Sequence, residues 1–400
     1  LGTVTNLDSS VATATVPMLY RARIAWLMLL VFGNIFSRAG IAHFEDTIAA
    51  HLALMGFRVT LFNRTPERVA AIKARHGIDL ESYDGGPHGF GRLTNVTSDI
   101  AEALAEAHVV HVVIPSSAHA EVARITAPHW HDGQIVVLHP GRTLGAIEFD
   151  RVLRDQGCTA DVTVAEAGTL IYASRADGPA QARIFRIKEA VPLAALPATR
   201  TAQVLEALAP AYPQYIDGID VLRTGLDNMG AIFHPALTLL NAGRIESTHG
   251  DYEFYIDGVT PSVARVLEAL DRERVTVAAS LGLRARTAQE WLKMAYDAEG
   301  ENLNEAIHNQ PGYYGIKAPT TLNHRYIFED IPMSLVPIAA LGQHFGVSVR
   351  GMDAIIRLAC IIHRTDYWRR GRTLDKLGID KLSVGELMQF VTEGKRSWED

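Results

Sequence analysis

Residues 108–122 read HVVHVVIPSSAHAEV, a nearly continuous run of valine and isoleucine followed by a Pro-Ser-Ser turn and a helical pattern. An apolar run of this kind is typical of a strand that is covered on both faces, as in doubly wound sheets with helices on either side. Ligands in such sheets bind beyond the carboxyl ends of the strands, where the strand order switches. The stretch therefore predicts a parallel sheet with a ligand site near Pro115 and Ser116.

The same alternation of short apolar runs and helical stretches extends from Ile24 to about Ala207. It predicts strands at residues 58–62, 108–114, 134–138 and 161–165, and helices at 47–55, 66–75, 100–105, 118–126 and 149–156. Beyond about Tyr215 the strand runs end, and helices are predicted at 222–242, 285–297, 335–345 and 352–368, with a further one that begins at Thr260-Pro261. We expect an α/β fold, in which a Rossmann-like doubly wound parallel sheet is followed by an all-α C-terminal domain. The predicted divisions are a disordered tail at 1–22, a dinucleotide-binding domain at 23–212 and a catalytic domain at 213–398.

Composition favours small-molecule chemistry. The formal net charge of −7 gives no electrostatic reason to bind nucleic acid or an anionic membrane. Two cysteines cannot build a disulfide framework or a zinc site, and the histidines show no metal-ligand spacing, so we expect no metal and a cytoplasmic location.

Residues 24–36 (IAWLMLLVFGNIF) are nearly all apolar and follow two arginines. They fall short of the roughly 20 residues that a membrane-spanning helix needs. A basic flank before an apolar run also occurs in signal peptides, although no small-residue cleavage site clearly follows. We interpret the segment as a buried strand, with an export signal as the alternative.

Asn63, Arg64 and Thr65 follow the predicted strand 58–62. An acidic residue at this place binds the ribose of NAD, whereas arginine accommodates the 2′-phosphate of NADP. The segment therefore favours NADP(H), with NAD(H) as the alternative cofactor, although it is also compatible with a turn before a solvated helix. At the next strand end, Pro115 and Ser116 suit the nicotinamide ribose, although a capped turn has the same pattern.

The glycine loop that usually binds the pyrophosphate is degenerate. The expected G-x-G-x-x-G positions, counted back from the helix at 49–52, are Gly40, Ala42 and Glu45. Glycine gives the tight turn, the close approach to the pyrophosphate and the helix packing. Glu45 instead adds bulk and a negative charge, so this loop opposes cofactor binding.

A polar series occurs within an otherwise apolar helical pattern after residue 220. Thr224, Asp227, His234 and Asn241 recur at three or seven residues, which would place them on one helix face. Pro235 is expected to kink or interrupt that helix. Taken alone, such a histidine is structural more often than catalytic.

Longer motifs carry a resemblance to a known family. The segments are LDNMGAIFHPALTLLNAGRIES (226–247), YEFYIDGVTPSV (252–263), PGYYGIKAPTTLNHRYIFEDIPMSLVPIAALG (311–342) and GRTLDKLGI (371–379), together with AAHLALMGFRVTLFNR, VIPSSAHAEVA, LHPGRTLGAIEF and AEAGTLIYASR in the first domain. The chain resembles the NAD(P)-dependent octopine/nopaline (opine) dehydrogenases over about residues 47–385. Residues 24–46 depart from the family pattern.

The resemblance implies roles for four residues. His234 falls on the catalytic histidine and Asp330 on its carboxylate partner, Arg325 on the arginine that binds a substrate carboxylate, and Asn228 on a position that can contact substrate or cofactor. A histidine supplies proton transfer near neutral pH, and the planar guanidinium matches carboxylates. Two structural alternatives stay open, in which Asp330 caps the turn before Pro332 and Arg325 forms an ion pair with Glu329 or Asp330.

The sequence thus predicts an NADP-dependent enzyme that condenses an amino acid with an α-keto acid, and a possible homodimer. Alternatives are a ketoacid or ketopantoate reductase, which needs no amine, and an inactive relative with a degenerate glycine loop. The abrupt start of family-like sequence at Ala49 is also compatible with a reading-frame slip in the gene, which translation of the upstream DNA would test.

Overall fold

A computed structural model describes the backbone of residues 28–32 and all atoms of residues 44–83 and 85–396. Within those residues one sheet has eight strands, in the order β12-β11-β8-β7-β6-β1-β2-β5. The strands of both sheets are β1 Met28–Phe32, β2 Arg58–Phe62, β3 Gly77–Ser82, β4 Gly89–Arg92, β5 Asn95–Thr97, β6 Val109–Val112, β7 Ile135–Leu138, β8 Thr163–Ala167, β9 Tyr172–Gly178, β10 Gln181–Ile187, β11 Val191–Leu196 and β12 Tyr215–Asp217.

The helices cover the large sheet and form the second half of the chain. They are α1 Phe44–Leu54, α2 Pro66–Arg75, α3 Ile100–Leu104, α4 His119–Thr126, α5 Gly145–Asp155, α6 Thr201–Leu208, α7 Val221–Leu226, α8 Gly230–Leu240, α9 Ala242–Thr248, α10 Pro261–Ser280, α11 Ala288–Tyr296, α12 Leu303–His308, α13 Arg325–Phe328, α14 Val336–His344, α15 Arg350–His363, α16 Tyr367–Arg370, α17 Leu374–Leu377 and α18 Val384–Glu393. A π-helix, Ile331–Leu335, joins α13 to α14.

Six neighbouring strands of this sheet run parallel in the spatial order β5-β2-β1-β6-β7-β8. This is the 3-2-1-4-5-6 order of dinucleotide-binding domains. The predicted Rossmann-like fold is confirmed. The strand expected within residues 24–36 is β1, which lies at the point where the order switches. The sheet is not wholly parallel, because β11 runs antiparallel to β8.

The parallel strands are covered on both faces, as their apolar runs predict. Ile135 and Val137 of β7 belong to one hydrophobic core, whereas Val136 and Leu138 belong to the other. Side chains alternate along a strand, so one run of four apolar residues contributes to both cores. The helical half of the chain extends the core that contains Val136.

A second sheet, in the order β4-β3-β10-β9, has no counterpart among the predicted strands. It is made of two hairpins, β3–β4 and β9–β10, which pack against α1. Gly91 of β4 allows this contact, because a Cβ there would lie 2.7 Å from the carbonyl oxygen of Ala50. The hairpins alternate buried and exposed residues over short spans, which a search for long apolar runs does not detect.

The single helix predicted at 222–242 is wrong, because the structure divides it into α7, α8 and α9. Pro235 lies inside α8, which continues to Leu240, so the expected interruption at this proline is wrong too. The breaks occur instead at 227–229 and at Asn241. As a result Thr224 lies on α7 and His234 on α8, whereas Asp227 and Asn241 lie in the two breaks, so the four polar residues do not form one stripe.

Several other predictions can be compared directly with the structure. Thr260 is the N-cap of α10 and accepts a hydrogen bond from the Val263 amide, with Pro261 as the first helical residue. The last strand, β12, lies just beyond the domain boundary that the sequence predicts between residues 212 and 213. That boundary stays a prediction. The tail at 1–22 and Gly40 lie outside the described residues. Among the residues that are described, no helix is both long and apolar enough to cross a bilayer.

Candidate active site

A cavity of about 290 Å³ opens at the carboxyl ends of the parallel strands, beside the switch point. Four parts of the chain line it. The large sheet contributes residues that follow β6 and β7, and α1 contributes its first turn. The helical half contributes side chains of α8 and α13, and the second sheet contributes the start of β9 and its adjoining loops. The lining residues are Phe44, Glu45, Val113, Ile114, Pro115, His139, Pro140, Arg142, Thr169, Leu170, Tyr172, Lys188, His234, Arg325 and Tyr326.

His234 and Asp330 form the expected pair. His234 Nδ1 lies 2.8 Å from Asp330 Oδ2, although the two residues are 96 positions apart in sequence. Asp330 is fully buried, whereas a fifth of the His234 side chain is exposed. The Tyr326 ring stacks on the imidazole with centroids 4.1 Å apart. The carboxylate therefore holds Nδ1 as the protonated nitrogen and leaves Nε2 available for chemistry.

Two arginines and two carboxylates form a buried charge network around this pair. Arg142 Nη1 lies 3.1 Å from Asp330 Oδ1, and its Nε lies 3.5 Å from Glu329 Oε1. Arg325 Nε lies 3.0 Å from Glu329 Oε2. Burial alone would raise the pKa of Glu329, but Arg325 and Arg142 lower it below its ordinary value. Glu329 is therefore an anion between the two guanidinium groups, and Asp330 gives Arg142 a second carboxyl partner.

Arg325 forms one of the ion pairs that the sequence left open, and its binding of a substrate carboxylate stays a prediction. It forms the ion pair with Glu329, one helical turn away, and it also lines the cavity with 26% of its side chain exposed. A guanidinium has five N–H donors in a planar fork, so one carboxylate contact leaves others for a ligand. Asp330 does not act as a side-chain cap of the π-helix that follows it, and its Oδ2 contacts His234 instead.

Ser116 links the sheet to the helical half of the chain. Its amide and its hydroxyl donate to Glu329 Oε1 at 3.1 and 3.0 Å, and the residue is fully buried. Pro115 lines the cavity. The contact of Ser116 with a cofactor stays a prediction, since the side chain here positions Glu329.

Asn228 lies in the break between α7 and α8. Its Nδ2 donates to Ser334 Oγ at 2.9 Å, and the residue is buried outside the cavity lining. This contact ties the break to the π-helix. A role of Asn228 in binding substrate stays a prediction.

The predicted NADP determinant lies at the carboxyl end of β2. Asn63 is buried and its Oδ1 accepts a hydrogen bond from the Thr65 amide, which shapes the turn before α2. Arg64 is half-exposed, 4.0 Å from Glu121. Glu45 is buried in the first turn of α1 and lines the cavity, so an acidic side chain lies at this end of the helix.

Sequence reasoning missed Arg142 and Tyr326, and it named Glu329 only as a possible ion-pair partner of Arg325. Arg142 directly follows the His-Pro-Gly turn after β7, and the rule that ligands bind at the carboxyl ends of parallel strands was the signal for it. Tyr326 and Glu329 are adjacent in sequence to Arg325 and Asp330. Their roles depend on the directions in which their side chains point from α13 and from the residue that follows it, and the sequence does not show those directions.

Comparison with known proteins extends the geometric picture. The family described as NAD/NADP octopine/nopaline dehydrogenase, alpha-helical domain, matches residues 218–363. An opine dehydrogenase of Arthrobacter sp. (strain 1C) is 34% identical over 362 residues, which are 90% of this chain and 100% of that relative.

Solved structures agree on the fold. An octopine dehydrogenase with NADH and L-arginine superimposes with a TM-score of 0.77 at 19% identity, covering 92% of this chain and 98% of that one. A yersinopine dehydrogenase with NADP+ bound superimposes with a TM-score of 0.68 at 14% identity, covering 89% and 98%. At these identities the likeness concerns the fold alone.

Proposed function

The chain belongs to the opine dehydrogenase family, NAD(P)-dependent oxidoreductases that act on CH–NH groups, and we propose that it uses NADP(H) with His234, Asp330 and Arg325 as its working residues. The reaction joins the α-amine of an amino acid to an α-keto acid and reduces the resulting imine. The reverse reaction oxidises the secondary amine. The observation that carries the proposal is the buried Asp330 carboxylate, which binds His234 on the wall of a cavity at the switch point.

His234 is the proposed general acid and base. Loss of water from the condensing amine and carbonyl requires a proton on the departing oxygen, and His234 Nε2 is placed to donate and recover it. Asp330 fixes the tautomer through Nδ1 and stabilises the imidazolium when Nε2 is protonated. Tyr326 covers one face of the ring and limits its rotation.

Arg325 is the proposed carboxylate-binding residue. Glu329 holds its Nε from one side, which orients the guanidinium fork while part of the side chain still faces the cavity. Arg142 and the two donors of Ser116 hold Glu329 in turn. Such support lowers the entropy that Arg325 loses when a carboxylate binds.

The strand order of the large sheet fits a nicotinamide dinucleotide. The cavity opens at the carboxyl ends of β6 and β7, beside the point where that order switches, and dinucleotides bind at this place in such sheets. Asn63, Arg64 and Thr65 would hold the adenosine end, and Pro115 and Ser116 the nicotinamide ribose. Gly40 would belong to the pyrophosphate loop. When bound, the cofactor supplies or accepts the hydride. Glu45 opposes the pyrophosphate, which makes cofactor affinity the property to measure first.

The reaction is tested by following NADPH oxidation with a panel of amino acids and α-keto acids. We expect turnover only when both reactants are present. Oxidation with the keto acid alone would identify a ketopantoate-type reductase instead. A folded protein that shows no saturable change in NADPH fluorescence up to millimolar concentration would be an inactive relative.

The NADP preference is tested at Arg64. Arg64→Gln should raise the KM for NADPH about tenfold or more and leave the KM for NADH nearly unchanged, since only the 2′-phosphate contact is lost. Arg58→Gln, at the other end of the same strand, is the matched control because Arg58 pairs with Glu106. Equal effects of the Arg64 variant on both cofactors would refute the assignment. A cytoplasmic location and a homodimer stay predictions.

A further inference from the structure

Lys188 is a cation on the cavity wall for which the sequence assigned no role. It follows β10 and lines the same cavity as His234 and Arg325. Its Nζ donates to Thr169 Oγ1 at 2.7 Å. Among the described residues no carboxylate forms an ion pair with this ammonium, so a hydroxyl is its partner.

The environment of Lys188 disfavours its own charge. Burial and the nearby Arg142 lower the pKa of the ammonium to about 8, and no carboxylate raises it. A partly buried cation without a counterion has lost hydration that the protein does not replace. An anion placed in the cavity would restore that interaction.

The other cations on the cavity wall are already balanced. Arg142 contacts Asp330 and Glu329, and Arg325 contacts Glu329. The two guanidinium groups and the two carboxylates therefore sum to zero charge. Lys188 is the remaining cation of the wall, and the acidic residue among the described lining residues, Glu45, forms no ion pair with it.

The substrates of the proposed reaction supply such an anion. An amino acid and an α-keto acid each carry a carboxylate, and their product is a secondary amine with two carboxylates. Arg325 and Lys188 come from different parts of the chain, α13 of the helical half and the loop after β10, and both face the cavity.

We propose that Lys188, oriented by Thr169, binds the second substrate carboxylate, the one that Arg325 does not hold. This inference rests on the proposed function. It makes Lys188 a determinant of substrate class, because the site then requires a carboxylate on both reactants. Neutral ketones or amines without a carboxylate would lose one charge-assisted hydrogen bond.

Lys188→Met tests the proposal, since methionine keeps the length and apolar stem of lysine and removes the charge. We expect the KM for one reactant to rise about tenfold to hundredfold and the KM for the other to change little. An amino acid amide and a neutral ketone then identify the carboxylate. The wild-type enzyme should discriminate against one of these analogues by a similar factor, and the variant should not.

Three further measurements keep the outcome decisive. Lys188→Arg should recover part of the lost affinity, and Lys381→Met, at an exposed lysine, should leave both KM values unchanged. Calorimetric binding of N-(1-carboxyethyl)alanine, a secondary amine with two carboxylates, should weaken in Lys188→Met while NADPH binding stays within about twofold. That binding experiment does not need turnover, so it separates failure of this inference from failure of the proposed function. Unchanged KM values, or a fall in kcat alone, would overturn the role of Lys188.

Discussion

At the scale of single residues, the proposed proton transfer depends on a carboxylate that does not line the cavity. Asp330 is fully buried, and its two oxygens contact His234 and Arg142. Its charge therefore acts on the imidazole in a place that water does not screen. This geometry supports the proposal that Asp330 positions the imidazole.

Asp330→Asn keeps the shape and removes the charge. We expect kcat to fall about 10²- to 10⁴-fold, because the imidazolium loses its stabilising anion and the tautomer is no longer fixed. The measurement is kcat at saturating reactants, with a thermal melt to confirm the fold. Asp380→Asn, at an exposed aspartate, serves as the control. We expect Asp330→Asn to change KM about tenfold less than it changes kcat. A change in KM that is larger than the change in kcat would argue against a role in proton transfer.

Glu166 gives a prediction about pH. The carboxylate is buried and accepts hydrogen bonds from Thr224 Oγ1 at 2.7 Å and from the Ala146 amide at 2.8 Å. Burial raises its pKa from an ordinary value of 4.5 to about 7, although both hydrogen bonds oppose the shift. The folded state therefore binds a proton that the unfolded chain releases between about pH 4.5 and 7.

The free energy of unfolding should accordingly fall as pH rises through that window and level off above it, by on the order of 3 kcal/mol from this group. Glu166→Gln should remove that part of the pH dependence. Urea denaturation of both proteins at pH 5, 6, 7 and 8 measures the difference. Parallel pH profiles for the two proteins would contradict the assignment.

At the scale of elements, the division of α7 from α8 depends on a residue of α10. Arg274 is fully buried, and its Nη1 donates to the Leu226 carbonyl oxygen at the end of α7 at 2.7 Å. Its Nε and Nη2 donate to Asp271 Oδ1 at 3.0 and 2.6 Å. Asp271 Oδ2 in turn accepts from the Ala288 amide at the start of α11. The pair thus satisfies backbone groups at two helix ends that would otherwise be buried without partners.

Arg274→Met should lower the free energy of unfolding by about 3–5 kcal/mol, because it leaves Asp271 as a buried charge without its cation. Chemical denaturation gives the value directly. Arg272→Met, on the exposed face of the same helix, should differ from the wild type by less than about 0.5 kcal/mol. Equal stabilities of the two variants would mean that the Arg274 contacts contribute nothing net.

At the scale of the whole molecule, Arg372 joins the sheet to the helical half. Its fully buried guanidinium donates to the carbonyl oxygens of Ser116 and Gly141 at 3.1 and 2.9 Å, which follow β6 and β7. It also contacts the Met333 carbonyl oxygen in the π-helix and pairs with Glu148 at 2.7 Å. One side chain therefore fixes the turns that carry the cavity relative to the segment after Asp330.

Arg372→Met should lower the free energy of unfolding by about 3–5 kcal/mol, because several buried acceptors lose their donor. The melting temperature should fall accordingly. We also expect calorimetry to show a broadened or divided transition, because the two halves lose one of the contacts that join them. Arg369→Met, three residues earlier and exposed, is the control. A single sharp transition at the wild-type temperature would show that Arg372 does not couple them.

The local sequence pattern predicted β1, β2, β6, β7 and β8 of the large sheet and the helices between them, but not β5, β11 or β12. The runs at 58–62 and 134–138 and the helix at 66–75 were found within a residue or two, because side-chain periodicity is a local property that burial on one or both faces imposes. Family resemblance in the motifs around His234, Arg325 and Asp330 indicated the chemistry. The short hairpins β3–β4 and β9–β10 were not predicted, because their exposed faces weaken the hydrophobic pattern.

Only the tertiary structure decided how the site is assembled. Ser116 and Glu329 are 213 positions apart and His234 and Asp330 are 96 apart, yet each pair is in hydrogen-bond contact. Arg142 and Lys188 likewise join the cavity from separate segments. Local periodicity carries no information on such pairs, because their partners and their burial are fixed by packing between distant elements. The sequence thus determined the class of fold and the reaction, and the packing of the two halves decided which charges are balanced around the cavity.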